Sequence, residues 1–167
     1  QPALNHLDEI IDAVDAIMIA RGDLGVEVPF EQLAYWQRII IDKCRSASKP
    51  VITATQMLES MIQNPRPTRA EVTDIAHAIF DGTDAIMLSA ESASGKYPIK
   101  SVETMSKIAS WNESHLLTHK IEFSEKDATN NVTSSAVSIV RSKINPHIDC
   151  VLVFTETGST ARSIAKH

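Results

Sequence analysis

The sequence has 167 residues, 43% of them apolar and 22% charged, with a formal net charge of −5. That is enough chain for one ordinary domain or parts of two, and too apolar for disorder. The charge has the wrong sign for a protein whose main partner is nucleic acid, because phosphate binding needs a basic face, and no apolar run approaches the roughly 20 residues of a membrane span.

The text opens at Gln1 rather than Met, with no signal-peptide pattern, and stops at His167 inside a helical pattern. It is therefore expected to be a piece of a longer polypeptide. Three short apolar runs stand out in chain order: residues 16–20 (AIMIA), 51–54 (VITA) and 85–88 (AIML). Their last residues, Ala20, Ala54 and Leu88, fall 34 positions apart. Helical patterns lie between them. Leu33, Trp36, Ile40, Ile41 and Cys44 form an apolar stripe broken only at Gln37. Val72, Ile75, Ala76, Ile79 and Phe80 form a second, opened by a Thr68–Glu71 capping box and closed by Gly82. A third helix is predicted from about 99 to 117, with Val102, Met105, Ile108 and Trp111 along it.

Strands alternating with helices at this spacing predict βα units and a parallel sheet. A doubly wound sheet and a (β/α)8 barrel fit that pattern equally well. Residues 118–131 turn polar and read as a linker. A helix is predicted over 132–143, with Val137, Val140 and Ile144 on one face and Asn145-Pro146 stopping it. Residues 150–154 (CVLVF) read as a buried strand, followed by a turn and helix that open a second α/β domain. The domain reading is thus 1–117, a linker at 118–131, and 132–167. Cys44 and Cys150 read as buried free thiols of a reducing compartment, and the six His show no metal-like spacing.

In parallel α/β folds chemistry gathers at the carboxyl ends of strands. Here the three runs end in Arg21-Gly22-Asp23, Thr55-Gln56 and Ser89-Ala90-Glu91-Ser92, which would converge on one rim. Gly22 lets its amide approach an anion closely. Asp23 is a hard oxygen ligand suited to Mg²⁺, or else a turn or N-cap aspartate. Thr55 can donate or pass a proton, or else cap a helix over 56–61. Ser89 and Glu91 can hold a water, or else make turn hydrogen bonds. Arg21 can neutralise an anion, or else pair with an aspartate. An adhesion-ligand reading of Arg21-Gly22-Asp23 rests on a tripeptide too short to be specific.

The strings ARGDLGVE (20–27), KPVITATQMLESM (49–61), NPRPTRAEV (64–72) and DGTDAIMLSAESASGKYP (81–98) together resemble pyruvate kinase, collinearly and over nearly the whole chain. The resemblance implies the last three βα units of a TIM (β/α)8 barrel, followed by the first helix and strand of an α/β C-terminal effector domain. It implies a cytoplasmic, homotetrameric enzyme of glycolysis with no nucleic-acid or membrane partner. The reaction it implies is phosphoryl transfer from phosphoenolpyruvate to ADP, giving pyruvate and ATP. Position by position, Asp23 corresponds to one of two acidic ligands of Mg²⁺ or Mn²⁺. Ala20 and the amides of Gly22 and Asp23 correspond to the cradle of the substrate carboxylate. Thr55 corresponds to the hydroxyl near the carbon that is protonated, and Ser89 and Glu91 to a water relay. Thr155, Thr157, Gly158, Ser159 and Thr160 resemble a loop that binds an effector phosphate, although Glu156 sets a negative charge inside it. The family's second metal carboxylate and a key lysine precede text like QPALNHLDEII, and the K⁺ ligands lie earlier still. The 167 residues alone are accordingly expected to be inactive. The alternative reading is another Mg-dependent lyase or aldolase barrel that handles phosphoenolpyruvate or pyruvate.

Overall fold

The computed structural model describes residues 2–116, 128–142, 148 and 150–166. The chain divides into two units, Gln1–Leu116 and Leu117–His167.

The first unit begins with α1 (Pro2–Asn5) and α2 (Leu7–Ala13), then β1 (Ile17–Ala20), which runs directly into the short helix α3 (Arg21–Glu27). A 3-10 turn (Phe30–Gln32) leads into α4 (Leu33–Ser46) and β2 (Val51–Ala54). A loop with a second 3-10 turn (Glu59–Ile62) precedes α5 (Arg69–Asp81) and β3 (Ala85–Ile86). Then come α6 (Ala90–Ala93) and α7 (Pro98–Glu113). The three strands pair in parallel in the order β1-β2-β3. Ala20 lies opposite Ala54, and Thr53 opposite Ile86. The third strand is shorter than the run 85–88, but Met87 still donates its amide to the Thr53 carbonyl at 3.0 Å.

Two apolar clusters hold this unit together. Ile11, Ile19, Ile40, Ile41, Cys44 and Val51 bring α2 and α4 against β1 and β2. Met57, Leu58, Met61, Ile75, Ala78 and Met105 pack the long loop after β2 against α5 and α7. Gln37, which interrupts the α4 stripe, is buried and donates to Asp81 at 3.4 Å. In α5 the buried face is Ile75, Ala78 and Ile79, whereas Val72 and Phe80 are exposed. Thr68 and Glu71 form the expected capping box, and Gly82 closes the helix at φ 89°, a left-handed conformation suited to glycine. In α7 Met105 is buried, while Val102 and Trp111 face outward.

The second unit contains α8 (Ala128–Arg141), which buries Thr133, Ser134 and Val137, and α9 (Ser159–Ala165). Residues 128–131, read from sequence as the end of a linker, form the first turn of α8. The other linker positions, 118–127, and the expected stop at Asn145-Pro146 with Ile144 lie outside the described residues. The strand expected over 150–154 is not formed: residues 150–155 pair with no strand among the described residues, and Leu152 and Phe154 are exposed. A parallel strand exists only through its ladder partners, so apolar text alone does not make one. Cys150, read as buried, is exposed, and Cys44 is buried.

Candidate active site at the strand ends

The in-register pairing of β1 with β2 sets Arg21 beside Thr55, the first residues beyond Ala20 and Ala54. The chain turns into α3 at once, so Gly22 and Asp23 occupy a first helical turn. First-turn amides have no acceptor within their own helix and are available to an anion. A methyl group placed on Gly22 would stand 3.7 Å from the Thr55 hydroxyl, an ordinary contact. The backbone of the first strand end and the side chain of the second are therefore neighbours. The N-cap alternatives for these residues do not hold. Ala20 occupies the cap of α3, and Leu58, not Thr55, precedes the 3-10 turn at Glu59.

The ionisable groups at this rim divide into two kinds. Arg21 is spent on the protein: it donates to Asp74 Oδ1 at 2.6 Å and to the Thr55 carbonyl at 2.7 Å. Its partner is thus Asp74 on α5, not the neighbouring Asp23. Glu91, only 1% exposed, is also spent. Its Oε1 accepts the Leu58 amide at 3.1 Å and its Oε2 the Ser89 amide at 2.8 Å, which ties the loop after β2 to the loop after β3. By contrast, the Asp23 carboxylate, the Thr55 hydroxyl and the Ser89 hydroxyl have no hydrogen-bond partner among the described residues. Asp23 is exposed, and Thr55 and Ser89 are half-buried. Nothing in the sequence marks Asp74 or Met57 as part of this rim. An aspartate inside an amphipathic helix looks like any solvent-facing charge until the strand end it meets is known.

Asp23 alone suits a hard divalent cation as one carboxylate ligand, and such ions complete their shells with water and substrate oxygens. No group of three or more His, Cys, Asp or Glu side chains is arranged to hold a metal among the described residues. Asp23 is exposed and has no partner among the described residues, so its carboxylate is open to a cation.

The loop at 155–160 lies in the second unit. Thr155 Oγ1 accepts the Gly158 amide at 3.1 Å, and Thr157 Oγ1 bonds Ser159 Oγ at 3.0 Å. Gly158 has φ 77°, and Thr160 sits in the first turn of α9. The hydroxyls of Thr155, Thr157 and Ser159 are thus engaged with one another and with the backbone.

A family model described as "Pyruvate kinase, barrel domain" matches residues 1–102. A pyruvate kinase of Clostridium acetobutylicum is 48% identical over 169 residues, covering all of this chain and 36% of that protein. One of Bacillus licheniformis is 48% identical over 170 residues, again all of this chain and 29% of that protein. One of Dictyostelium discoideum is 46% identical over 173 residues, with 98% of this chain and 34% of that protein covered. The chain spans about a third of the length of these curated relatives.

Proposed function

The chain belongs to the pyruvate kinase family, and we propose that the full-length protein transfers the phosphoryl group of phosphoenolpyruvate to ADP. The bond from the enol oxygen to phosphorus breaks, a bond from the ADP terminal oxygen to phosphorus forms, and the enolate carbon left behind takes a proton to give pyruvate. Such a transfer asks the protein mainly for positioning and charge stabilisation. On this reading β1–β3 with α4, α5 and α7 are the last three βα units of a (β/α)8 barrel that ends near residue 117. The segment from about 132 opens an effector domain. The protein is read as a cytoplasmic homotetramer that also uses K⁺ bound outside this chain. No helix among the described residues is long and apolar enough to cross a membrane.

The observation that carries the reading is the division of the rim: Asp23, Thr55 and Ser89 stand at the ends of three paired parallel strands with their side chains unspent. The amides of Gly22 and Asp23, with Ala20, bind the substrate carboxylate at the opening turn of α3. Asp23 would be a ligand of a Mg²⁺ or Mn²⁺ ion, which when bound would supply positive charge for the phosphoryl transfer. Thr55, beside Gly22, sits at the carbon that gains the proton. Ser89 presents its hydroxyl to the same proton path, and Glu91, bonded to the Ser89 amide, fixes the loop that carries it. With a single metal carboxylate among its strand ends, the isolated 167-residue chain is catalytically silent. The 155–160 loop, through Thr155, Thr157, Gly158, Ser159 and Thr160, would meet an effector phosphate by exchanging its internal hydrogen bonds for bonds to the phosphate. No comparison favours the lyase or aldolase alternative.

The test is ATP formation by the purified full-length protein from phosphoenolpyruvate and ADP, with pyruvate release followed by a coupled reductase. Turnover should require a divalent cation, and Asp23→Asn should lower kcat on the order of 100-fold or more. A protein that forms no ATP refutes the activity, and an Asp23→Asn variant with parental turnover refutes the metal assignment.

A further inference from the structure

Arg21 adjoins the residues proposed to bind substrate, yet its guanidinium points into the protein and its side chain is 11% exposed. One terminal nitrogen, Nη1, donates to Asp74 Oδ1 at 2.6 Å. The other, Nη2, donates to the Thr55 carbonyl at 2.7 Å and lies 2.9 Å from the Met57 sulfur. A guanidinium is a rigid planar fork, so fixing one prong on Asp74 fixes the direction of the other. That second prong lands on the backbone of Thr55. The Thr55 hydroxyl in turn faces Gly22, the residue that follows Arg21 in the chain, across a gap that a methyl group would fill. The two strand ends are thus joined once, through the Arg21 guanidinium on the Thr55 carbonyl, and they face each other where a methyl group on Gly22 would just reach the Thr55 hydroxyl. Asp74 anchors that guanidinium to α5.

We propose that Arg21 and Asp74 are a positioning pair that sets the spacing between the Gly22–Asp23 amides and the Thr55 hydroxyl. The pair touches no reacting atom and acts through the two strand ends it joins. Lysine at position 21 keeps the charge but is a single flexible point donor, so it cannot hold both acceptors in one plane. The ligand that reads this spacing rests on the function proposed above; the spacing itself does not.

The experiment compares Arg21→Lys, Asp74→Ala, Asp74→Asn and the double variant Arg21→Lys/Asp74→Ala in the full-length protein. Lys43→Met, which removes an exposed ion pair with Asp8, serves as a control for general destabilisation. Without ligands, hydrogen exchange read by mass spectrometry should quicken at least about tenfold in peptides covering 17–28 and 51–58 and stay unchanged over 33–46. With phosphoenolpyruvate and ADP, Arg21→Lys and Asp74→Ala should each lower kcat on the order of 10- to 100-fold, the cost of a misplaced reacting group. KM for ADP should hold within about twofold, Asp74→Asn should lose less because it keeps an acceptor oxygen, and the double variant should be no worse than the worse single one. Unchanged exchange in both peptides overturns the proposal. So does a kcat loss matched by Lys43→Met at an equal fall in Tm, or full additivity in the double variant. Should Arg21→Lys fail to fold, the contrast of Asp74→Asn with Asp74→Ala decides. If the parent protein makes no ATP, the proposed activity fails and the exchange measurement alone judges the pair.

Discussion

Replacing Glu91 by Gln tests whether a buried carboxylate holds two loops together or is merely tolerated there. The side chain is 1% exposed, with one oxygen on the Leu58 amide and the other on the Ser89 amide. Glutamine has the same shape but only one acceptor, and its NH₂ must face one of the two N–H donors. An unsatisfied buried donor costs about 1–3 kcal/mol, and loss of charge assistance in the surviving bond about 1 kcal/mol more. Leu58 is fully buried, whereas Ser89 is half-exposed and its amide can recover a water. The Gln carbonyl should therefore keep Leu58, and the loss should fall near the low end, about 2 kcal/mol. Glu91→Ala strands the Leu58 amide, leaves the Ser89 amide to water and opens a cavity, for about 4 kcal/mol or more. Opposing this is the desolvation of the charge, which Gln relieves and which can make removal of a buried ion neutral. Urea unfolding of the full-length protein, followed by tryptophan fluorescence, separates the two effects through the midpoint at constant m. A Glu91→Gln variant within about 0.5 kcal/mol of the parent would refute the latch, because desolvation would then have cancelled both hydrogen bonds.

Gly95→Ala should lower stability by about 1–3 kcal/mol, since the new Cβ would sit 2.7 Å from the Glu91 carbonyl oxygen, a backbone atom that cannot swing aside; an unchanged Tm would count against that packing. Burial pushes the Glu71 carboxyl up, but hydrogen bonds from Ser60 and Thr68 outweigh it and hold the group below its ordinary 4.5. A depressed carboxyl stabilises the fold above its unfolded pKa and loses that contribution as pH falls through the folded one, so Glu71→Gln should flatten the acid side of the stability profile, and an identical acid limb would refute this. Burial, with Asp84 adding to it, pushes the Cys44 thiol up to about 11, so a thiol reagent at neutral pH should label exposed Cys150 at once and Cys44 only on unfolding; equal labelling rates would contradict the burial of Cys44.

What could be read from the sequence was whatever local chemistry decides. The α5 boundaries follow from Thr68, Glu71 and Gly82, which act within one helical turn, and all three take the expected roles. The even step of 34 places Ala20 opposite Ala54, but β2 and β3 pair one residue out of that step, with Thr53 opposite Ile86. Register is set by hydrogen bonding and by Asp84 and Thr83 at the strand entrance, where Asp84 accepts the Val51 amide at 2.8 Å. Spacing alone does not carry that information. The run 150–154 shows the limit most plainly, because its apolar text is compatible with a strand but supplies no partner. At the rim, Asp23, Thr55 and Ser89 could be picked out because each follows a recognisable strand. Asp74 could not, because its role depends on a guanidinium 53 residues away in sequence.

The division of the rim follows from a conflict between two needs. A carboxylate or guanidinium at a strand end must be desolvated and bonded if it is to hold backbone in place, and Arg21 and Glu91 are bonded in that way. A group that is to meet a ligand must keep its acceptors and donors uncommitted, as Asp23, Thr55 and Ser89 do. One polar group cannot serve both ends, because a hydrogen bond already made inside the protein has to be broken before the ligand gains it. The two kinds therefore alternate along the chain: Arg21 beside Gly22-Asp23, the Thr55 carbonyl held while its hydroxyl is free, and Glu91 gripping the amide of Ser89 while leaving the hydroxyl alone. Each open group is carried by backbone that a spent group fixes. This is why loss of a spent group should be felt first in the placement of its neighbour, and why stability and turnover should respond to different members of the same short strings.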